Sequence, residues 1–220
     1  MRRKRVRAVI FGPQGSGKST QGHLLSDWFD IPWISSGVLC RQEIEEQTAL
    51  GKMIEEYVSH GMLAPDDVIQ GIMTKRLKEV ESEKGFFLDG YPRNVEQAES
   101  LDRLMKLNLA VHIKISDQEG IKRLLARLFC PECRTVFHET EAPPAIKGIC
   151  SVCGGKLKRR DDDNEETIRT RLIAYHFMTE PMMAYYRERG VLLTVNGAQP
   201  IESLFQELVK KMAKLGFVRT

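Results

Sequence analysis

Phe11-Gly12-Pro13-Gln14-Gly15-Ser16-Gly17-Lys18-Ser19-Thr20 has the spacing G-x-x-x-x-G-K-S and decides how the rest of the chain is interpreted. Three glycines let the backbone form a tight concave turn whose N–H groups converge on one point, as the oxygens of a triphosphate require. Lys18 adds a positive charge for the β- and γ-phosphates, and Ser19 offers a hydroxyl for Mg²⁺. A glycine-rich turn without a ligand is the alternative, and the Lys-Ser pair in register argues against it. The stretch is therefore predicted to be a phosphate-binding loop.

The residues around this loop indicate an α/β fold. Residues 6–11 form an apolar run typical of a buried strand, and residues 19–29 have a helical pattern whose N-terminus would face the phosphates. Further strands are predicted at residues 31–34, 86–89, 109–115 and 191–195. Further helices are predicted at about residues 39–47, 50–59, 65–81, 94–107 and 200–214, and another begins at the capping box Ser116-x-x-Glu119. This alternation predicts a three-layer α/β fold, a parallel sheet between two layers of helices, with ligands at the carboxyl ends of its strands.

The bulk composition fits an ordinary globular protein and excludes several classes. The chain has 220 residues, of which 42% are hydrophobic and 29% charged, so it can bury a sizeable core. Its net charge of +3 is too small to argue for a nucleic-acid partner. No apolar run is long enough to cross a membrane, and the run after the basic start Arg2-Arg3-Lys4-Arg5 is too short for a signal peptide. We expect a cytoplasmic monomer without nucleic-acid or membrane partners.

Four of the five cysteines form two C-x-x-C pairs, Cys130 with Cys133 and Cys150 with Cys153. In a reducing compartment this spacing is typical of two zinc knuckles that close one tetrahedral site. Redox or disulfide cysteines are the alternative, which the spacing and the compartment disfavour. Four thiolates leave no open coordination position, so we expect a structural Zn²⁺ in a small insertion of short strands and turns. Cys40, the fifth cysteine, is predicted to be a packed apolar residue.

A carboxylate and a set of arginines form the other candidate site. Asp89 ends a predicted strand, which is where phosphate-loop enzymes hold Mg²⁺ or its water shell. Any single arginine would ordinarily be a surface residue. The arginines of interest are Arg41, Arg93, Arg123, Arg127, Arg160, Arg169 and Arg171, and all except Arg169 lie beside a turn or the edge of an insertion.

Taken with these arginines, three segments resemble the adenylate kinases, which convert ATP and AMP into two ADP. Asp89-Gly90-Tyr91-Pro92-Arg93 is similar to the family's D-G-[FY]-P-R, and Ser36-Gly37 with Arg41 is similar to T-G-x-x-x-R. The run from Arg160 to Leu172 is similar to the segment that leaves the family's lid. The resemblance covers nearly the whole chain, and the four-cysteine insertion looks like the lid of the zinc-bearing bacterial long forms.

The resemblance implies a role for each matching residue. Those implied to bind ATP are Gly15, Ser16, Gly17, Lys18, Ser19, Thr20, Arg123, Phe137, Gly197 and Gln199. Those implied to bind AMP are Ser36, Arg41, Gly90, Arg93, Gln97, Arg160 and Arg171. Those implied to act in catalysis are Lys18, Arg93, Arg123, Arg127, Arg160 and Arg171, with Ser19 and Asp89 associated with Mg²⁺. The implied domains are a core of residues 1–34, 65–127 and 164–220, an AMP-binding insertion of residues 35–64, and a zinc-binding lid of residues 128–163.

The chemistry of phosphoryl transfer agrees with this assignment. The accepting phosphate is already anionic near neutral pH, so the reaction needs no general base. It needs two polyanions held in line with their charge neutralised, which converging guanidinium groups, Lys18 and Mg²⁺ provide. Water must also be excluded, and two insertions that close over the nucleotides would achieve this.

Three residues depart from the usual pattern of the family. Gln14 stands where proline is usual, Ser19 where glycine is usual, and Val38 where an acidic residue is usual. Ser19 could bind Mg²⁺ directly, whereas glycine cannot. Val38 removes a negative charge near the active centre, so Mg²⁺ hydration or loop geometry could differ.

Two other functions are weighed against an ATP:AMP phosphotransferase. A kinase for another nucleoside monophosphate would share every phosphate-handling residue, so only the base pocket separates the two. Gln97, one helical turn after Arg93, is expected to bind the adenine edge; a solvated surface glutamine is the alternative. Discrimination against guanine requires neighbouring residues that fix the amide of Gln97 or exclude the guanine 2-amino group. A nucleotide-dependent nucleic-acid binder could use the zinc ribbon and the basic run Lys156-Leu157-Lys158-Arg159-Arg160, but no aromatic row accompanies it.

Overall fold

The computed structural model describes residues 4–60, 62–80 and 84–219. Within these residues the strands are β1 (Val6–Phe11), β2 (Trp33–Ser35), β3 (Gly85–Asp89), β4 (Leu109–Lys114), β5 (Arg127–Phe129), β6 (Val136–His138) and β7 (Leu192–Asn196). Five of them form a parallel sheet in the order β2-β3-β1-β4-β7, and β5 pairs with β6 in a separate antiparallel ribbon. The predicted parallel sheet is therefore confirmed.

Helices cover both faces of the sheet. They are α1 (Lys18–Phe29), α2 (Ser36–Glu45), α3 (Ala49–Ser59), α4 (Asp66–Glu79), α5 (Val95–Leu104), α6 (Asp117–Leu125), α7 (Glu165–Ala174), α8 (Met182–Glu188) and α9 (Ile201–Lys214). A π-helical turn, Tyr175–Thr179, separates α7 from α8. Side-chain caps begin several helices; Ser116 accepts a hydrogen bond from the N–H of Glu119, as the capping box predicts. None of the described helices combines the length and the apolar character needed to span a membrane.

The central strand β1 divides the hydrophobic core into two halves. Successive side chains of a strand point to opposite faces. Val9 therefore packs in the half that contains Leu88 and Leu101, while Ile10 packs in the half that contains Leu25. Apart from Arg7 near its start, every residue of β1 is apolar and buried, so the core holds the carboxyl end of the strand, from which the glycine-rich loop leaves, in the middle of the sheet.

Most predicted elements agree with the structure to within a few residues. The helix predicted to reach residue 107 ends earlier, at Leu104, because Met105 has extended backbone angles. The helix predicted to reach residue 81 is described as far as Glu79. Residue 81, the helix break predicted at Gly61, and the start of the predicted basic cluster lie outside the described residues.

Helices α7 and α8 were not predicted from the sequence. Among the residues of α7, only Thr167, Ile168 and Leu172 are buried, so the helix has a narrow apolar stripe within a charged segment. This stripe is too narrow to produce a clear helical period in the sequence. The ribbon of β5 and β6 agrees with the predicted insertion of short strands.

Candidate active site

The glycine-rich loop has the backbone shape that its sequence predicts. Gly15 and Gly17 have φ values of +80° and +88°, a region that residues with a Cβ rarely occupy. A Cβ at Gly15 would also lie 2.6 Å from the carbonyl oxygen of Gly120. Since α1 begins at Lys18, its unpaired N-terminal N–H groups and the positive end of its dipole lie at this loop. The hydroxyl of Ser16 is buried beside it without a hydrogen-bond partner among the described residues, as expected of a group that binds a ligand.

Lys18 is a cation held in an unfavourable environment. Its Nζ donates a hydrogen bond to the carbonyl oxygen of Pro13 at 2.9 Å. Burial lowers the pKa of Lys18 to about 8; Asp89 opposes this change, and Arg93 and Arg127 add to it. An anion placed at the loop would relieve both the lost hydration and the repulsion between these cations. The site is therefore suited to a polyanionic ligand.

Ser19 and Asp89 lie together at the carboxyl edge of the sheet. The strand register pairs Asp89 with Ile10 of β1 and with Ser35 of β2, which places its carboxylate beside the loop. The Ser19 hydroxyl donates a hydrogen bond to Asp89 Oδ2 at 2.6 Å. Hydroxyl and carboxylate oxygens are the ligands that Mg²⁺ prefers. These two residues therefore fit the predicted association with Mg²⁺.

Five arginines from distant parts of the chain form a cluster in which each lies within electrostatic reach of at least two others, and Arg93 and Arg127 are also within reach of Lys18. They are Arg41, Arg93, Arg127, Arg160 and Arg171. Burial lowers the pKa of Arg41, Arg93 and Arg160, and repulsion from neighbouring guanidinium groups lowers it further. The sheet edge, the α2 segment and the segment leading to α7 each contribute to this cluster. The structure thus brings together the arginines that the resemblance implied for AMP and for catalysis, apart from Arg123.

Two adjacent carboxylates hold part of this cluster. Asp163 accepts two hydrogen bonds from Arg127, at 2.7 and 2.5 Å. Asp162 accepts from Arg171 through both its carboxylate and its backbone carbonyl. Burial acts to raise the pKa of Asp162, but Arg171 and the other guanidinium groups outweigh it, so the pKa is lowered. Neither aspartate was predicted to be a site residue, although the acidic run directly after Arg160 was a signal for such pairing.

Arg93 and Gln97 are held at the turn after β3. The carbonyl oxygen of Gly90 accepts hydrogen bonds from Arg93 Nε and from the Ser36 hydroxyl, both at 2.6 Å. Gln97 Oε1 accepts from the Arg93 backbone N–H at 2.8 Å. Gln97 is only 4% exposed, so the alternative of a solvated surface glutamine is wrong. Four of the residues implied to bind AMP therefore form one hydrogen-bonded group, namely Ser36, Gly90, Arg93 and Gln97.

Arg123 connects the lid segment to the end of β7. It donates a hydrogen bond to the carbonyl oxygen of Gly197 at 3.0 Å and forms ion pairs with Glu119 and with Glu141 of the lid segment. Two of the residues implied to bind the ATP adenosine, Arg123 and Gly197, are therefore in direct contact. Phe137 and Gln199 are also implied to bind ATP. Phe137 lies in β6, opposite Leu128 of β5. Gln199, two residues after Gly197, donates hydrogen bonds to the carbonyl oxygen of Asn196 and to the Glu207 carboxylate.

The four C-x-x-C cysteines form one cluster. Their sulfur atoms all lie within 4.8 Å of one another, and all four are free thiols. The Sγ atoms of Cys130 and Cys153 are 3.4 Å apart, and those of Cys133 and Cys150 are 3.5 Å apart. Tetrahedral Zn²⁺, with Zn–S bonds of about 2.3 Å, would require separations of about 3.8 Å. The four residues therefore fit a closed tetrahedral metal site, as predicted.

Comparison with known proteins agrees with this site. A family model described as "Adenylate kinase" matches residues 10–191. The chain is 41% identical over 215 residues to the adenylate kinase of Streptomyces coelicolor, a match that covers 95% of this chain and 99% of that protein. The chain belongs to the adenylate kinase family. It is also 40% identical over 212 residues to the adenylate kinase of Archaeoglobus fulgidus (94% and 98% covered) and 38% identical over 212 residues to that of Caldicellulosiruptor saccharolyticus (94% and 99% covered).

Membership of the adenylate kinase family confirms the predicted fold class and the predicted enzyme, an ATP:AMP phosphotransferase. It also disfavours the alternative of a nucleic-acid binder built on the zinc ribbon. The cysteine cluster is consistent with a long form of this family that carries a cysteine lid.

Proposed function

We propose that this member of the adenylate kinase family transfers the γ-phosphate of MgATP to AMP by electrostatic clamping. The observation that supports this mechanism is the surplus of positive charge at the carboxyl edge of the sheet. Lys18 and five arginines meet there, and the carboxylates that face them are Asp89, Asp162 and Asp163. Two nucleotides would supply the missing negative charge.

Each cation has a proposed task. Lys18 and the loop N–H groups bind the β- and γ-phosphates of ATP, while Arg41 and Arg93 bind the phosphate of AMP. Arg127, Arg160 and Arg171 neutralise the transferring group, joined by Arg123 when ATP is bound. Because the acceptor is an anionic phosphate, positioning and charge neutralisation are sufficient, and no proton acceptor is assigned.

Mg²⁺ bound with ATP would be held by the oxygens of Ser19 and Asp89. The ion supplies further positive charge to the phosphates. The Ser19 hydroxyl, where the family usually has glycine, adds a potential direct ligand. The hydrogen bond between the two residues keeps both oxygens at the loop before the nucleotide arrives.

A structural Zn²⁺ on the four cysteines would stabilise the lid. We assign residues 128–163 to this lid, residues 35–64 to the AMP-binding insertion, and residues 1–34, 65–127 and 164–220 to the core. The lid and the AMP-binding insertion are in contact through Arg134 and Glu45, which supports their closure over the two nucleotides. We further propose that the protein is a cytoplasmic monomer. Its partners would be ATP, AMP and ADP, and it would bind no nucleic acid.

A coupled assay with ATP and each nucleoside monophosphate tests this function. We expect kcat/KM for AMP to exceed that for GMP, CMP and UMP by about a hundredfold or more, since a site that hydrogen-bonds one base rejects others. Equal use of another monophosphate would restrict the proposal to a general monophosphate kinase. A gel-shift titration with RNA and DNA at low salt should show no complex.

A further inference from the structure

The side-chain amide of Gln97 is held in one orientation by two neighbours. Its Oε1 accepts a hydrogen bond from the backbone N–H of Arg93 at 2.8 Å, and its Nε2 donates to Asp66 Oδ1 at 2.7 Å. A backbone N–H can only donate, and a carboxylate can only accept. Exchanging the oxygen and the nitrogen of this amide would therefore set donor against donor and acceptor against acceptor. The positions of Oε1 and Nε2 are determined by these neighbours.

Asp66 is itself held by a side chain of known orientation. Asn94 caps α5, because its Oδ1 accepts from the backbone N–H of Gln97 at 2.8 Å. This cap turns Asn94 Nδ2 toward Asp66, and Nδ2 donates to Asp66 Oδ2 at 2.7 Å. The four hydrogen bonds form a continuous chain between the first turn of α4 and the first turn of α5. The helix cap Asn94 thus fixes the position of the Asp66 carboxylate, and this carboxylate fixes the orientation of the Gln97 amide.

A fixed amide distinguishes the two purines. After these contacts, Oε1 retains one lone pair and Nε2 retains one hydrogen for a ligand. Adenine presents an amino donor and a ring acceptor on its Watson–Crick edge, whereas guanine presents a carbonyl acceptor and a ring N–H donor. In any one pose, only one of these edges matches the amide; the other leaves buried polar groups unpaired. A freely rotating amide would accept both.

We infer that Asp66 is a specificity-determining positioning residue, which restricts the acceptor base to adenine by fixing the amide of Gln97. The inference rests on the proposed role of Gln97 in base recognition and extends it to a residue 31 positions away. Asp66 touches no phosphate-binding residue in this chain of bonds except through Gln97 and Asn94. Its effect is therefore on the choice of base and not on phosphoryl transfer.

The test compares Asp66→Asn with Asp67→Asn. Both aspartates lie in the first turn of α4, where a carboxylate favours the helix dipole, but Asp67 is exposed and lies outside the chain of hydrogen bonds. In Asp66→Asn the new amide oxygen is drawn to Asn94 Nδ2. Its NH₂ group then faces Gln97 Nε2, donor against donor, so the amide of Gln97 loses one of the two contacts that fix its orientation. We expect the ratio of kcat/KM for AMP to kcat/KM for GMP to fall about tenfold or more in Asp66→Asn and to stay unchanged in Asp67→Asn.

Two further variants separate the possible failures. A merely structural role for Asp66 would lower kcat/KM for both monophosphates equally and leave their ratio unchanged, which would overturn the inference. Gln97→Ala should lower the ratio; if it does not, the proposed base-recognition role of Gln97 fails first. If Gln97→Ala lowers the ratio and Asp66→Asn does not, only the role of Asp66 is refuted. Should Asp66→Asn fail to fold, Asp66→Ala should still reduce the ratio, and an unchanged ratio there would refute the role equally.

Discussion

A guanidinium nitrogen of Arg134 lies 2.6 Å from Oε2 of Glu45, and this ion pair joins two segments that are far apart in sequence. Arg134 directly follows the first C-x-x-C pair, and Glu45 is the last residue of α2. Arg134 also has a φ of +62°, a conformation that costs a residue with a Cβ about 1 kcal/mol. The segment proposed to be the lid therefore touches the segment proposed to bind AMP.

We expect this ion pair to contribute weakly to closure. Both side chains are largely exposed, and exposed ion pairs contribute about 1 kcal/mol or less. Arg134→Ala and Glu45→Ala should each raise the KM for AMP by less than about fivefold, and the double variant should be no worse than either single one. The effect should vanish at high ionic strength, where surface charges are screened.

Arg76→Ala is the matched control for this double-mutant cycle of Arg134→Ala and Glu45→Ala. This change removes an equally exposed ion pair, with Glu79, that lies within α4 and does not join the two insertions. Its KM for AMP should equal that of the unmodified enzyme. Additive effects of Arg134→Ala and Glu45→Ala would contradict a direct coupling between the two segments.

Replacing Lys18 by an apolar residue should separate stability from activity. Lys18→Met should lower kcat about a hundredfold or more, because a charge-assisted contact to the transferring phosphate is worth about 3 kcal/mol. The same change should raise the melting temperature of the nucleotide-free protein at pH 7, because it removes a buried cation surrounded by other cations. Calorimetry and a coupled assay measure the two effects. Lys52→Ala, which removes an exposed lysine of α3, should change neither.

The pKa of Lys18 predicts how activity and stability depend on pH. With its pKa lowered from 10.5 to about 8, free enzyme loses this charge as the pH rises through 8, so kcat/KM for ATP should decline there. kcat should decline only at higher pH, because bound phosphates favour the protonated lysine. Between pH 8 and 10.5 the unfolded chain binds this proton more tightly, so the contribution of Lys18 to stability increases with pH. A kcat/KM profile that stays flat to pH 10 would contradict this assignment.

Zinc removal should affect the lid before the sheet. We expect one Zn²⁺ per chain by metal analysis of protein purified under reducing conditions. Cys130→Ser combined with Cys150→Ser should abolish this content and add a low-temperature transition in calorimetry, because the small lid depends on the metal for its stability. Cys40→Ser removes a buried thiol of α2 that lies outside the cluster, and it should leave the zinc content unchanged. A single unchanged melting transition in the double variant would argue against a structural metal.

The parts of the site that were predictable are those whose chemistry is local in sequence. The phosphate-binding loop and the two C-x-x-C pairs depend on spacings of a few residues, and the structure places both as expected. Asp89 was identified because it directly follows an apolar strand. In each case one short segment carries all the information that its geometry needs.

The parts that were not predictable depend on contacts between distant segments. Gln97 looked the same in sequence whether its amide was free or fixed, because the residue that fixes it, Asp66, belongs to another helix. The pairing of Asp163 with Arg127 likewise spans the whole lid. Helix α7 was missed because tertiary packing of a narrow apolar stripe, rather than a strong period, keeps it helical.

The position of β1 has a consequence for how the enzyme loses its structure. This strand has a partner on each side and packs into both halves of the core, so its amides should exchange with solvent only through global unfolding. The phosphate-binding loop leaves directly from that strand. Local openings of the lid or of the AMP-binding insertion would therefore leave the triphosphate cradle intact. An enzyme molecule that releases AMP through such a local opening would therefore keep ATP bound at the loop and could close again without refolding.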